Sequence, residues 1–209
     1  MENINLSFFI ISLSSLFALI NPLGITPVLL SITKDFSNAE YNHTIKKGIF
    51  FATIILLFFA IMGEIIFKFY GLTIHAFKIA GGILFFRTGM DMLYANISRT
   101  KTTPKEKEEA LDIEDISIAP IGIPLIAGPG AITSVLLLSH QANTFTERIL
   151  FYSSIIIVLF ITFFILKLAK KISIKFGTTG IRIIQRIMGL ILMVLAVQFI
   201  INGLDPIVV

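Results

Sequence analysis

The chain of 209 residues contains no cysteine and no tryptophan, and charged side chains make up only 14% of it. Without cysteine, disulfide bonds and thiolate chemistry are excluded. Soluble domains carry about 25% charged residues. Here 56% of the residues are apolar, and runs such as Ile49–Ile66 and Ile149–Leu166 leave no polar face for water. The composition therefore indicates an integral membrane protein.

Six stretches of the chain are long and apolar enough to cross a bilayer, whose hydrocarbon core takes about 20 residues of helix. The predicted spans are Leu6–Leu30, Gly48–Tyr70, Ile74–Ala95, Ile116–Ser139, Ile149–Leu168 and Ile183–Gly203. The longest polar stretch, Ile97–Asp115, separates three spans from three. We therefore predict one all-α membrane domain in which a cytoplasmic linker at residues 97–115 joins residues 1–96 to residues 116–209.

The two halves of the chain resemble each other. PLGITPVLL at Pro22–Leu30 returns as PGAITSVLL at Pro129–Leu137, with six of nine residues identical at a shift of 107. KIAGGIL at Lys78–Leu84 matches RIMGLIL at Arg186–Leu192, at a shift of 108. Because each half contains three spans, the second copy must enter the membrane from the opposite side. The sequence thus predicts two inverted three-helix repeats, an arrangement that many transporters share.

Positively charged residues are distributed unevenly among the predicted loops. Of the 17 Lys and Arg residues, thirteen lie at loops one, three and five, three lie towards the opposite side, and Arg87 lies inside a span. The thirteen are Lys34, Lys46, Lys47, Arg99, Lys101, Lys105, Lys107, Lys167, Lys170, Lys171, Lys175, Arg182 and Arg186. The positive-inside rule places these loops in the cytoplasm and both termini outside it, on the periplasmic side if the membrane is an inner membrane. The net charge of +4 is therefore no sign of nucleic-acid binding.

Spans one and four are each interrupted by proline and glycine, at Asn21–Pro27 and Gly128–Thr133. Proline lacks an N–H group and disrupts the preceding turn. A broken helix frees N–H and C=O groups that lipid cannot satisfy, so the break must face protein or a water-filled cavity. Freed N–H ends favour anions, and the carbonyl ends suit a cation. The predicted substrate-binding residues are Asn21, Pro22, Gly24, Thr26, Gly128, Pro129, Gly130 and Thr133. Ordinary proline kinks are the alternative.

Three ionisable residues are candidates for coupling transport to protons. Arg87 and Asp91 are one turn apart in span three, and Glu64 lies near the outer end of span two. The alternative for Arg87 and Asp91 is a self-neutralising pair whose longer side chain reaches the cytoplasmic interface. The three histidines form no ligand-spaced set, so we expect neither a metal nor a cofactor. Because no nucleophile–base pair or phosphate loop occurs, we expect no enzyme activity.

Four stretches resemble the MarC family of bacterial integral membrane proteins. They are FALINPLGITPVLL, FKIAGGILFF, PIGIPLIAGPGAITSVLLL and RIMGLILMVLAVQFIINGL, which cover most of both halves. The resemblance implies a six-span inner-membrane protein related to amino-acid exporters of the LysE type. It also implies transport of small neutral amino acids.

We therefore predict a secondary transporter of small neutral solutes, above all amino acids, in which one repeat rocks against the other around a midplane site. Export is a candidate direction of transport. The candidate partners are the substrate, the lipid bilayer and a second copy of the chain. A small-solute channel is one alternative, which would show neither saturation nor counterflow. A non-transporting membrane scaffold is another, and it would depend on the Ile97–Asp115 linker rather than on the breaks.

Overall fold

The computed structural model describes residues 2–94 and 125–208, and all regular structure in that part of the chain is helical. The helices are α1 (Glu2–Ile20), α2 (Pro22–Ile32), α3 (Asn38–Tyr70), α4 (Ile74–Leu93), α5 (Pro129–Gln141), α6 (Phe145–Lys167) and α7 (Ala169–Val208). The predicted linker at residues 97–115 and the first part of predicted span four lie outside the described residues.

Two matching capping boxes begin α3 and α6. Ser37 Oγ accepts a hydrogen bond from the Glu40 N–H (3.3 Å), and the Glu40 carboxylate accepts one from the Ser37 N–H (2.7 Å). Thr144 and Glu147 repeat this exchange at 3.2 and 2.9 Å, 107 residues later. Each box satisfies two N–H groups that a helix start would leave unpaired. The box at Ser37 starts α3 ten residues before the predicted Gly48.

Four stretches of the described helices are long and apolar enough to cross a membrane: Leu6–Ile32, Asn38–Gly63, Phe145–Lys167 and Thr179–Asp205. They correspond to predicted spans one, two, five and six. Predicted span three is present as α4, a helix of 20 residues that also carries Lys78, Arg87 and Asp91. The outer surface of the bundle is apolar, with side chains such as Phe58 and Phe160 exposed by 55% and 62%. Such a surface suits a lipid environment.

The closest helix packing joins α4 to α7. A Cβ atom added to Gly82 would lie 2.8 Å from the Ala196 carbonyl oxygen, and one added to Gly89 would lie 2.8 Å from the Gly189 carbonyl oxygen. Small residues are what allow membrane helices to approach this closely. Residue numbers rise along α4 as they fall along α7, so the two helices run antiparallel. Gly82, Gly89 and Gly189 are therefore packing residues of this interface.

The main helix contacts form matched sets between the halves of the chain. Helix α3 packs on α5 as α6 packs on α2, and α4 packs on α5 as α7 packs on α2. The other large contacts among α2 to α7 join α3 to α6 and α4 to α7, and these pair equivalent helices. Helix α1 also packs on α5, α6 and α7, and most of the segment equivalent to α1 lies outside the described residues. The main contacts among α2 to α7 are therefore the same after α2 is exchanged with α5, α3 with α6 and α4 with α7.

The halves differ after their second span. Helix α3 continues as one helix of 33 residues to Gly71, which caps it with a φ of 61°. Its counterpart is interrupted, because α6 ends at Lys167 and α7 contains a break at Gly177, also with a φ of 61°. Positive φ is a conformation that glycine adopts at little cost. The second half therefore carries a short helical segment, residues 169–176, where the first half has none.

Candidate binding site

The break between α1 and α2 consists of a single residue that caps the helix that follows it. Asn21 has a φ of 49° and a ψ of 63°, a left-handed conformation that asparagine tolerates better than most residues. Its side-chain oxygen accepts a hydrogen bond from the Gly24 N–H at 3.1 Å, and its carbonyl accepts one from the Ile25 N–H at 3.1 Å. The first break therefore satisfies much of its own hydrogen-bonding capacity.

The carbonyl end of α1 remains only partly satisfied. The Asn21 N–H donates to the Phe17 carbonyl at 2.9 Å, which closes the last regular turn. The Ala18 carbonyl would normally accept from the residue four positions later, but that residue is Pro22, which has no N–H. Helix α1 thus presents a partly negative end next to Asn21.

The break before α5 is built differently. Gly128 is extended, with a φ of −72° and a ψ of 170°, and its carbonyl accepts from the Ile132 N–H at 3.0 Å. Pro129 has no N–H, and Gly128 has no side chain with which to cap the next two N–H groups, those of Gly130 and Ala131. Within the described residues no side chain caps this end. Both N–H groups are therefore available to an acceptor.

The two breaks lie side by side. A Cβ atom added to Gly130 would lie 3.1 Å from Cδ2 of Leu19, two residues before Asn21. Ile20, Ile25, Ile126 and Ala131 also belong to one buried apolar cluster. Residues 17–27 and 125–133 include no Asp, Glu, Lys or Arg. The breaks therefore join partial backbone charges of both signs in surroundings without an ionised side chain.

The two equivalent threonines have different environments. Thr26 is fully buried, and its hydroxyl donates to the Pro22 carbonyl at 3.1 Å. Thr133 is partly exposed, and its methyl group faces Gly81 of α4, at 3.0 Å from the position of an added Cβ. Its hydroxyl makes no hydrogen bond within the part of the chain that is described. Of the two, only Thr133 has a hydroxyl free to bind a ligand.

The whole architecture has relatives in archaea and bacteria. Residues 6–208 match the family described as MarC family integral membrane protein. A UPF0056 membrane protein of Methanocaldococcus jannaschii is 40% identical over 200 residues, covering 96% of this chain and 97% of its own. The chain belongs to the MarC family. Another MarC relative, the UPF0056 membrane protein YvbG of Bacillus subtilis, is 36% identical over 199 residues, covering 95% and 94% of the two chains. No solved structure was found to match.

The ionisable candidates in this MarC protein lie apart from the breaks. Arg87 is exposed and Asp91 is partly exposed, and no ion pair joins them in the described chain. At 100° per residue, Arg87 lies about 120–140° around α4 from Gly81 and Gly82, which face α5 and α7. Arg87 therefore points away from the bundle. Glu64 lies in α3, but its side chain is outside the described residues.

Sequence reasoning missed several buried polar groups of the MarC bundle. The hydroxyls of Ser12, Ser15 and Ser134 are buried without a hydrogen-bond partner. The Tyr41 hydroxyl donates to the Leu166 carbonyl at 2.7 Å, linking residues 125 positions apart. Serines in apolar spans were a readable signal, whereas a bond over such a sequence distance was not.

A small cavity opens at another place in the bundle, between α3, α5 and α6. It has a volume of about 70 Å³ and is lined in part by Ser139, Ala142 and Arg148. The Arg148 Nε donates to the Ala142 carbonyl at 3.2 Å. None of the predicted substrate-binding residues lines this cavity. The two breaks, rather than the cavity, therefore remain the candidate binding site.

Proposed function

We propose that this MarC protein is a secondary transporter of small neutral amino acids that binds its substrate at the paired breaks. The observation that carries the proposal is the pair of N–H groups on Gly130 and Ala131, which the preceding turn leaves unpaired beside the carbonyl end of α1. Discontinuous helices that present such ends at the bilayer midplane are the usual substrate sites of secondary transporters.

The chemistry of the breaks favours a zwitterion. The N–H end of α5 suits a carboxylate, and the carbonyl end of α1 suits an ammonium group. Because residues 17–27 and 125–133 contain no ionised side chain, nothing there would complement a charged substrate side chain. Apolar neighbours of the breaks, such as Leu23 and Ile132, would surround the side chain of the substrate. Alanine, glycine and serine are the substrates that fit these constraints.

Alternating access would use two inverted three-helix repeats. In support, the main contacts among α2 to α7 are unchanged when equivalent helices are exchanged, and the equivalent helices α4 and α7 run antiparallel. Two equivalent antiparallel helices are related by a two-fold axis perpendicular to both, which for membrane-crossing helices lies in the membrane plane. One repeat would rock against the other around the breaks, in a cycle that needs no catalytic group and no cofactor.

The orientation in the cytoplasmic membrane follows from the thirteen-to-three charge distribution. We expect the α2–α3 loop in the cytoplasm and the α5–α6 loop outside. Because the chain has no cysteine, Asp35→Cys and Thr146→Cys each provide one exposed thiol. An impermeant maleimide should label intact cells at position 146 and not at position 35. The reverse pattern would invert the orientation.

The test of function is counterflow in proteoliposomes. Vesicles loaded with unlabelled alanine should accumulate labelled alanine transiently and with saturation, whereas a channel would show neither behaviour. Glycine and serine should compete, while lysine, glutamate and tryptophan should not. Alanine methyl ester should fail to compete because it lacks the carboxylate. Strong competition by the ester, or equal transport of lysine, would reject the zwitterion site.

A further inference from the structure

Three buried hydroxyls, those of Ser12 and Ser15 on α1 and of Ser134 on α5, form what we call the hydroxyl seam. Their residues are exposed by 0%, 1% and 0%, and none of the three oxygens has a hydrogen-bond partner. The Thr44 hydroxyl on α3 is also buried without a partner, whereas two other buried hydroxyls are satisfied by their own helix. Ser154 donates to the Phe151 carbonyl, and Thr162 donates to the Val158 carbonyl, each at 2.7 Å.

The three serines face the same interface. Leu19 lies near the end of α1 and contacts Gly130 near the start of α5. The two helices pack on each other, and because the end of one meets the start of the other, this packing fits an antiparallel course. At 100° per residue, Ser12 lies about 20° and Ser15 about 40° around α1 from Leu19, and Ser134 lies about 40° around α5 from Gly130.

The seam begins at the second break. Ser15 and Ser134 are each four residues from the Leu19–Gly130 contact, so the antiparallel helices place them at the same level. Ser12 lies about one turn further along α1. The line of hydroxyls thus leads from the free N–H groups of α5 towards the membrane face that carries the α5–α6 loop.

Leaving these hydroxyls unpaired is costly. A buried hydroxyl without a partner has given up its hydrogen bonds to water without replacing them, and such groups are rare enough to need an explanation. By contrast, the Tyr41 hydroxyl bonds to the Leu166 carbonyl across the two halves. Separating α1 from α5 would break no hydrogen bond of the three serines and would give each of them a partner.

We propose that the hydroxyl seam lines the outer half of the substrate passage. When α1 and α5 separate, Ser12, Ser15 and Ser134 bind water and the polar groups of the solute that moves between the break and the α5–α6 face. This inference rests on the proposed transport function for the identity of the solute. The existence of a hydrated passage does not depend on it.

Cysteine accessibility tests the seam directly, since the chain contains no native thiol. Ser12→Cys, Ser15→Cys and Ser134→Cys replace one small side chain with another of nearly the same shape. The matched control is Ser154→Cys, which is equally buried but has a hydroxyl that its own helix satisfies. The purified variants would be reconstituted in liposomes and treated with a small anionic methanethiosulfonate.

We expect the three seam cysteines to react at least about tenfold faster than the cysteine at position 154, because a thiol reacts as its thiolate, which forms in water and not in an apolar core. Modification at position 134 should also block counterflow. Reaction as slow as that of Ser154→Cys at all three positions would overturn the seam, even if alanine counterflow is normal. Fast modification of the seam cysteines in a protein that shows no amino-acid counterflow would support the hydrated passage but contradict the proposed amino-acid substrate.

Discussion

The two helix breaks are equivalent in sequence but not in chemistry. The first break contains Asn21, whose side chain caps α2, and a buried threonine whose hydroxyl bonds to its own helix. The second break has Gly128 at the position of Asn21, so α5 starts without a cap, and Thr133 keeps a free hydroxyl. A duplicated element can thus keep its backbone role in one copy and become available for binding in the other.

Because of this difference, the two breaks would have different roles. The first would hold the geometry, since its polar groups are already paired. The second would bind the anionic part of the substrate, since its N–H groups are free. Changes at the second break should therefore alter transport more than stability, and changes at the first should do the opposite.

Gly130→Leu should have the largest effect, namely loss of counterflow in a protein that still folds. An added Cβ would be 3.1 Å from the Leu19 side chain, which can move, but the rest of the leucine would occupy the space in front of the free N–H groups. Counterflow and thermal unfolding followed by circular dichroism are the two measurements. Ser31→Leu, which adds similar bulk on an exposed part of α2, is the control. Normal transport by the Gly130 variant would remove the second break from the site.

Gly128→Asn would give the second break the cap that the first one has. The extended conformation of Gly128 is the one that N-cap residues adopt. Because glycine is itself a fair N-cap residue, the new cap should stabilise the protein by only about 0.2–0.5 kcal/mol. Since the cap would compete with the substrate, the same free energy should raise the KM for alanine by roughly 1.4- to 2.3-fold. The measurements are the melting temperature and the concentration dependence of counterflow.

Two variants control the added cap. Gly128→Ala adds bulk without an acceptor and should leave KM near the original value. Asn21→Ala removes the existing cap, and it should lower stability by about 1 kcal/mol with little change in KM. If Gly128→Asn gains stability and transports normally, the N–H groups of α5 do not bind substrate.

The two threonines sharpen the comparison further. Thr133→Val removes a hydroxyl that has no partner in the described chain, so it should raise KM by about 2- to 10-fold, the value of one hydrogen bond of 0.5–1.5 kcal/mol. Thr26→Val removes a hydroxyl that bonds to the Pro22 carbonyl, so KM should be unchanged. Measuring KM for both variants under one set of conditions provides the test. Equal effects would mean that the breaks bind substrate symmetrically.

Asp91→Asn should have the smallest effect. A proton relay requires this carboxyl to exchange protons with the transport site, but Asp91 is partly exposed and lies on α4, away from both breaks. We expect counterflow and its pH dependence to stay as in the unmodified protein. A variant that transports alanine without the pH dependence of the original would establish a relay, and it would place coupling outside the breaks.

Much of the fold was readable from the sequence because apolar length and repetition are local signals. Pro22 and Pro129 predicted both breaks. The early start of α3 was readable as well, since Ser37 and Glu40 have the spacing of a capping box. The identical residues around Pro22 and Pro129 concealed the difference between the breaks. That difference depends on one pair of equivalent positions, which is Asn21 in the first break and Gly128 in the second.

Other features of the site could not be predicted. The free hydroxyls of Ser12, Ser15 and Ser134 depend on side-chain rotamers, because Ser14, on the same helix, bonds to the Ile10 carbonyl at 2.7 Å. The outward direction of the Arg87 side chain depends on which faces of α4 pack against α5 and α7, and the glycines of α4 determine those faces. Such properties arise from tertiary packing, and no pattern in the sequence indicates them.

Helix α3 is longer than the hydrocarbon core of a bilayer. Its 33 residues extend over about 50 Å at 1.5 Å per residue, against a core of about 30 Å. The mostly apolar residues 48–67 are about 30 Å long and fit that core, whereas the ten helical residues before them include Glu40, Lys46 and Lys47. The first turns of α3 therefore belong to the aqueous side of the membrane, and the Tyr41–Leu166 hydrogen bond joins the two halves of the chain there.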